Sequence, residues 1–285
     1  EFRWCVATAA HQIEGQNTHS DWWEFEKIPG VIHDGNPSGD ACDHWNRVTQ
    51  DTEMLSTLGV TQYRFSVEWA KIEPQEGHFD QDALAHYRDE IALLKSRGIQ
   101  PFVTLQHFVL PKWVSERGGF GWTGIAEAFE KYARKVYSSI GSEVDDWSTL
   151  NEPQSLLAAG YIEGVFPPRI RDIRSIAAPA IGMLRAHARA YHALHELAQA
   201  RGHKVLPDIS TIQDLKQSDL VRGAGEEIAE QIQEALEGEP TNAPFVLSVY
   251  FGRNVEKHHD RLALAIFNQF PAPFLRAQFR HDGSE

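Results

Sequence analysis

The chain has 285 residues, 42% hydrophobic and 24% charged, the proportions of a globular protein, which exclude disordered and fibrous classes. Lys and Arg number 27 against 40 Asp and Glu, a formal charge of −13 that repels phosphate backbones and anionic membrane surfaces, so neither nucleic acid nor membrane is an expected partner. Cys5 and Cys42 are the only cysteines, too few for a disulfide framework and without metal-site spacing.

In chain order, the first strand is predicted over residues 3–9 and is followed by a long loop, 12–41, and a helix over 43–58. A second strand (60–66), loop (67–81) and helix (82–97) come next, then a third strand (101–106), loop (107–123) and helix (124–140). The fourth unit is a strand over 144–150, a loop over 151–171 and a helix over 172–201. Gly98, Gly141 and Gly202 stand where helix caps are expected. Strand followed by helix, four times over, is the pattern of a parallel α/β sheet.

Loops after strands are long and loops after helices are two or three residues. Barrels and doubly wound sheets carry their sites on the loops at the strand C-terminal ends. No Gly-rich phosphate loop follows a strand, so a (β/α)8 barrel of the TIM type is preferred over a nucleotide-binding fold. Beyond Gly202 the pattern loosens: an acidic amphipathic helix over 225–238, a fifth strand over 245–250 and a helix over 260–270 are expected. About five strand-helix units make the barrel incomplete, since closure needs eight strands. The chain is read as one barrel domain over 1–285, with a divergent segment, 206–244, read as an insertion.

Polar side chains gather where these strands end: Gln12 and Glu14, then Arg64 and Glu68, then His107, then Asn151 and Glu152. A strand buried on both faces should be apolar, so such residues face the mouth of the barrel and bind one another or a ligand. Glu152, among Trp147, Leu150 and Pro153, is a candidate general acid, because desolvation raises a carboxyl pKa toward neutrality. The alternative is a carboxylate that caps the loop or pairs with Arg64 or His107. His187, Tyr191 and His195 recur at a helical spacing that could ligate a metal, but with no completing carboxylate a packed or solvated helix face is the better reading. Trp22, Trp23, Trp113 and Trp122 lie in the long loops, where they either line an entrance or pack the core.

The runs Ala7-Thr8-Ala9-Ala10-His11-Gln12-Ile13-Glu14-Gly15, Tyr63-Arg64-Phe65-Ser66-Val67-Glu68-Trp69, Thr104-Leu105-Gln106-His107-Phe108, Gly118-Gly119-Phe120 and Thr149-Leu150-Asn151-Glu152-Pro153 together resemble glycoside hydrolase family 1, the β-glucosidase and β-glycosidase family. The resemblance covers residues 1 to about 204. It implies a (β/α)8 barrel, retaining hydrolysis of β-linked glycosides or oligosaccharides, and no metal or organic cofactor. By the same resemblance Glu152 is the acid/base and Asn151 binds the sugar 2-hydroxyl. Gln12 and His107 bind hydroxyls on the far side of the sugar, Arg64 orients the nucleophilic carboxylate, and Trp122 is a candidate for substrate contact. Phe108 stands where the family usually has Trp.

A retaining glycosidase needs a second carboxylate roughly 5–5.5 Å from the first, and the Thr-Glu-Asn-Gly-like run that supplies it in the family has no counterpart here. Glu14, Glu68, Glu73 and Glu163 lie in strand-end loops, but none matches the nucleophile's position. The chain is therefore either the front part of a longer enzyme, a fragment completed by another chain, or a non-catalytic carbohydrate-binding or structural relative. A homo-oligomer would cover the open edges of such a sheet. Cytoplasmic localisation is expected, with secretion left open by the start on Glu1.

Overall fold

In a computed structural model the chain is described over residues 4–202 and, as backbone strands, over 246–252 and 261–267. Four strands, β1 (Cys5–Ala7), β2 (Gln62–Ser66), β3 (Gln100–Gln106) and β4 (Asp146–Leu150), form one sheet in the order β1-β2-β3-β4. All three pairings are parallel, with Ala7 opposite Arg64, Ser66 opposite Thr104, and Gln106 opposite Leu150. Every strand therefore ends on the same side, as the run of strand-helix units requires.

Nine α-helical segments lie in chain order: α1 (Ala10–Ile13), α2 (Asp21–Phe25), α3 (His44–Thr57), α4 (Trp69–Ile72), α5 (Gln81–Ser96), α6 (Lys112–Ser115), α7 (Ile125–Ile140), α8 (Pro153–Leu157) and α9 (Ala177–Ala200) among the described residues. Helices α3, α5, α7 and α9 are the four predicted crossovers, and the short ones sit inside the long strand-end loops. Helix α7 buries Phe129, Tyr132, Ala133, Val136, Tyr137 and Ile140, the three-to-four spacing that packs one face on a sheet. The same core holds the fully buried Val103 and Leu105 of β3, each side chain contributing roughly 1.5–3 kcal/mol of transfer free energy. Tyr132 sends its hydroxyl to the carbonyls of Leu105 (3.0 Å) and Val67 (3.3 Å), so α7 is tied to the end of β3 and to the residue just past β2.

Gly98 and Gly202 take left-handed φ of +75° and +67° just past their helices, as the caps require. Gly141 does not: its φ is −64°, and it is small because a Cβ there would strike the Tyr137 ring. The loops after β1 and β3 are stitched together. Asp21 N–H donates to the Leu110 carbonyl (2.9 Å), Lys112 N–H to that of His19 (2.7 Å), and the Asp21 carboxyl accepts from Leu110 N–H (3.0 Å).

Residues 246–252 do form a strand, β5 (Val246–Gly252), but it does not extend the parallel sheet; it pairs antiparallel with β6 (Arg261–Phe267), Val246 opposite Phe267. Of the helix expected over 260–270, residues 261–267 are thus a strand. The apolar run that follows Arg261 is too short for its periodicity to separate helix from strand, and pairing with a neighbour decides. The acidic helix expected over 225–238 and the whole segment 206–244 fall outside the described residues. Among the described residues no helix is long and apolar enough to cross a membrane, no cluster of His, Cys, Asp and Glu could hold a metal, and Cys5 and Cys42 are free.

Candidate active site

At the end of β2 the Arg64 guanidinium reaches across the sheet. Its Nε donates to Thr104 Oγ1 on β3 (3.0 Å) and its Nη2 to Asn151 Oδ1 just past β4 (2.7 Å). Parallel register permits this, because it sets Arg64 two residue pairs before Thr104, on the same face, and brings Asn151 N–H to the Gln106 carbonyl (2.9 Å). Asn151 is buried, and its amide oxygen is thereby oriented by a permanent cation.

Glu152 follows in a left-handed conformation, φ +43°. The backbone turns there into α8, whose Ser155 and Leu156 N–H groups bond the Glu152 carbonyl (2.9 and 3.2 Å) while Ser155 Oγ donates to Oε2 (2.8 Å). Phe108, after His107, is also left-handed at φ +68°. Such conformations cost a non-glycine residue about 1–3 kcal/mol and persist where tertiary contacts over-determine them; Phe108 packs on Phe166 with ring centroids 5.7 Å apart. The desolvation expected of Glu152 is not present. Trp147, Leu150 and Pro153 are buried, but the carboxyl stands beyond the strand end and is exposed. The pairing weighed for it is also different, since Arg64 bonds Asn151 and a serine bonds Glu152.

His107 is half-buried, with its Nδ1 buried and without a hydrogen-bond partner. Burial, and then the Arg64 charge, push its pKa down to about 4, so the ring is a neutral imidazole at pH 7, able to offer one donor and one acceptor. Gln12 is exposed on α1, a single turn whose first N–H, from Ala10, is capped by Ser66 Oγ at the end of β2 (2.8 Å). Next to it His11 is buried and clamped between Glu26 (2.9 Å from Nε2) and Asn17 (3.1 Å from Nδ1). Glu26 also receives both the N–H and the hydroxyl of Ser38 at 2.8 Å, which ties the far part of the first loop to the turn bearing Gln12.

The other carboxylates of the strand-end loops are occupied internally. Glu73 accepts from Trp69 Nε1 (2.7 Å) and Gly77 N–H (2.8 Å), and Glu68 caps α4 through Ala70 N–H (3.1 Å). Glu14 accepts from the Tyr87 hydroxyl (2.8 Å). All three are buried, whereas Glu163 is exposed. Trp122 packs edge-on to Trp113 and under the Arg117 guanidinium, in a layer anchored by Trp113 Nε1 on the Glu73 carbonyl (2.9 Å). Its ring thus has structural neighbours of its own. On α9, His187 is buried and bonds Thr149 of β4 through Nδ1 (2.6 Å), as the packed-face reading has it. Sequence reasoning missed Ser66 and Asp21. Ser66 lies at a strand end like the others, but its hydroxyl carries no charge to single it out, and Asp21 reads as an ordinary first-turn acid after the Ser20 cap.

Comparison with known proteins places these residues in context. The model of glycosyl hydrolase family 1 matches residues 1–233, and that of the RimK-like ATPgrasp N-terminal domain matches residues 191–285. Beta-glucosidase A of Thermotoga maritima is 39% identical over 201 residues, which are 68% of this chain and 45% of that protein. The cytosolic beta-glucosidase of Homo sapiens is 35% identical over 210 residues, 69% of this chain and 44% of that one. The solved Thermotoga maritima beta-glucosidase in complex with cyclophellitol superposes with a TM-score of 0.68 at 39% identity, covering 70% of this chain and 47% of that chain. The chain spans less than half the length of the curated relatives it matches.

Proposed function

This chain belongs to glycosyl hydrolase family 1, and from that premise we propose that it carries the acid/base half of a retaining β-glycosidase site of the β-glucosidase type. The observation that carries the proposal is the Arg64–Asn151 hydrogen bond beside Glu152, at the C-terminal ends of parallel strands. Glu152 protonates the departing glycosidic oxygen and then takes a proton from the attacking water. Its exposure leaves both oxygens reachable by a ligand. Asn151, polarised by Arg64, bonds the sugar 2-hydroxyl, a contact that tightens as the anomeric carbon gains oxocarbenium character. Gln12 and the neutral His107 bind the hydroxyls of the far edge, and Trp122 contributes an apolar surface on the entrance side. The substrate is a β-glycoside or oligosaccharide, and hydrolysis needs no cofactor. A relative described as cytosolic supports a cytoplasmic location.

Glu14, Glu68 and Glu73, each buried and hydrogen-bonded, are poorly placed to attack an anomeric carbon, so no nucleophile is assigned. The purified 285-residue chain is accordingly expected to hydrolyse chromogenic β-glucosides very slowly or not at all, because residues that act as a unit fail together. Intact mass together with a panel of aryl β-glucosides checks this. Burst kinetics with robust turnover would show that one of those carboxylates is the nucleophile after all. The alternative, a carbohydrate-binding relative without turnover, would retain sugar binding in a full-length form that also fails to hydrolyse.

A second reading concerns the end of the chain. The antiparallel β5–β6 pair and the similarity of residues 191–285 to an ATPgrasp-associated domain favour a departure from the barrel pattern after α9, with β5 lying against α8. Limited proteolysis that releases a stable fragment ending near residue 202 supports this; uniform resistance through residues 203–245 opposes it.

A further inference from the structure

The turn that bears Gln12 is held by a carboxylate two residues further on. Glu14 is 4% exposed. Its N–H closes α1 on the Ala10 carbonyl (2.8 Å), and its own carbonyl accepts from Trp45 N–H of α3 (3.3 Å). Its Oε1 accepts the hydroxyl of Tyr87, 73 residues away on α5, at 2.8 Å. Lys71 of α4 stands 3.5 Å from Oε2 and donates to the carbonyl of the next residue, Gly15, at 2.8 Å. Two helices, α4 and α5, thus meet on the carboxyl and a third, α3, on the backbone carbonyl of the same residue, and none of these contacts is explained by the proposed chemistry at Glu152.

The pocket around Glu14 is crowded with titratable groups. Lys71 faces it from α4, Tyr87 and Glu90 from α5, His44 from α3, and Glu68, whose N–H donates to the Tyr87 oxygen (2.9 Å), from the end of β2. Glu14 Oε2 is buried without a hydrogen-bond partner. As a carboxylate the group draws both the phenol and the ammonium. As an acid it loses the pull on Lys71, and a proton on Oε2 finds no acceptor in a pocket where an unpaired donor is costly. Burial raises Glu14 to about 7 and Glu68 to about 8, so the change of state falls at neutral pH. A single helical turn has no length over which to absorb a shift of the residue that caps it, Glu14.

We propose that Glu14 is a positioning residue for Gln12, its ionised form fixing the α1 turn at the strand-end site and its protonated form loosening it. This rests on the reading of Gln12 as a sugar ligand for its consequence, although not for its test. The consequence is that sugar recognition depends on a buried carboxyl outside the reacting pair.

The test uses the full chain, isotopically labelled, followed by NMR from about pH 5 to about pH 9. The Glu14 carboxyl carbon and the Gln12 backbone and side-chain amides should step together with one midpoint near neutrality. Glu14→Gln should abolish the Gln12 step, and Glu14→Asp should restore it at a displaced midpoint. Flat Gln12 signals while Glu14 titrates, or a Gln12 step that survives in Glu14→Gln, would overturn the proposal; the surviving step would belong to Glu68 or His44. If Glu14→Gln does not fold, Tyr87→Phe serves: loss of the phenol donor should move the Glu14 and Gln12 midpoints upward together, and a Gln12 midpoint left behind overturns it. D-glucose titrated into the same samples reports separately on the sugar site. Affinity that falls about tenfold as Glu14 takes up its proton follows from the proposal, and affinity that ignores the Glu14 midpoint contradicts it. Absence of glucose binding at every pH, with the Gln12 step intact, sinks the sugar-ligand reading and leaves the coupling standing.

Discussion

His44 is set between two carboxylates, Nδ1 at 2.6 Å from Asp51 and Nε2 at 3.1 Å from Glu90, and its side chain is 5% exposed. Burial alone would lower its pKa, but the bonds to Glu90 and then Asp51 more than reverse this and raise it to about 9. Against the ordinary 6.5 the difference corresponds to about 3 kcal/mol of folding stability. Because the folded value is the higher one, that stability is fully present below about pH 6.5 and is lost as pH rises through about 9. The double substitution His44→Gln with Glu90→Gln replaces the buried pair by neutral amides and leaves behind the Asp51 carboxylate, which at 28% side-chain exposure is open to water. Urea unfolding followed by tryptophan fluorescence, on both proteins at about pH 6 and about pH 9.5, reads the linkage directly. The stability gap between the two proteins should close by about 3 kcal/mol across that range. A gap of the same size at both pH values would refute the assignment of a charged, doubly bonded imidazolium.

Other outcomes follow from single contacts. Gly182→Ala should destabilise the chain by about 2–3 kcal/mol with the site unchanged, because its Cβ would run into the Phe120 carbonyl where α9 crosses the turn at Gly119–Gly121; thermal unfolding measures it, and an unchanged midpoint would mean the helix lies further out. The His107 ring should remain neutral until the pH approaches 4. Its depressed value favours the fold above about pH 6.5, a contribution lost as pH falls through about 4; an imidazole carbon titrating near 6.5 by NMR would show that the ring is not desolvated.

Much of the fold is readable from spacing because each long crossover helix satisfies a local rule and a global one together. Helix α5 illustrates this: Asp80 caps it, Ala83, Leu84, Tyr87, Ile91 and Leu94 form one buried stripe, and Gly98 ends it. Glu90 lies on that same buried stripe, and the periodicity that finds the stripe gives no hint that a carboxylate sits there to meet His44 from another helix. The strand-end residues are legible as a set, since polar groups after apolar strands stand out. Their pairings are not, because Arg64 bonding Asn151 rather than Glu152 depends on the stagger of three strands, which is a property of the sheet and not of any one segment. The exposure of Glu152 is hidden from the sequence for a related reason. Neighbours in sequence at a strand end point down into the core while the chain turns away from it. Residues 260–270 fail differently: an apolar run of Leu, Ala and Ile satisfies helix and strand alike, and pairing with β5 settles it.

The claim that Glu152 is the acid/base is tested most directly by the dependence of hydrolysis on the leaving group, in a form of the protein that has its nucleophile. Wild type and Glu152→Gln are compared on aryl β-glucosides of graded leaving-group acidity, with and without azide. The variant should lose roughly 10²–10⁴-fold on poor leaving groups and far less on activated ones, which depart without a proton. It should also lose the alkaline limb of the pH profile and regain turnover of an activated substrate with azide, an anion that attacks the glycosyl intermediate without a general base. A loss equal across all leaving groups, with an unaltered pH profile and no response to azide, would contradict the account and make Glu152 a structural carboxylate.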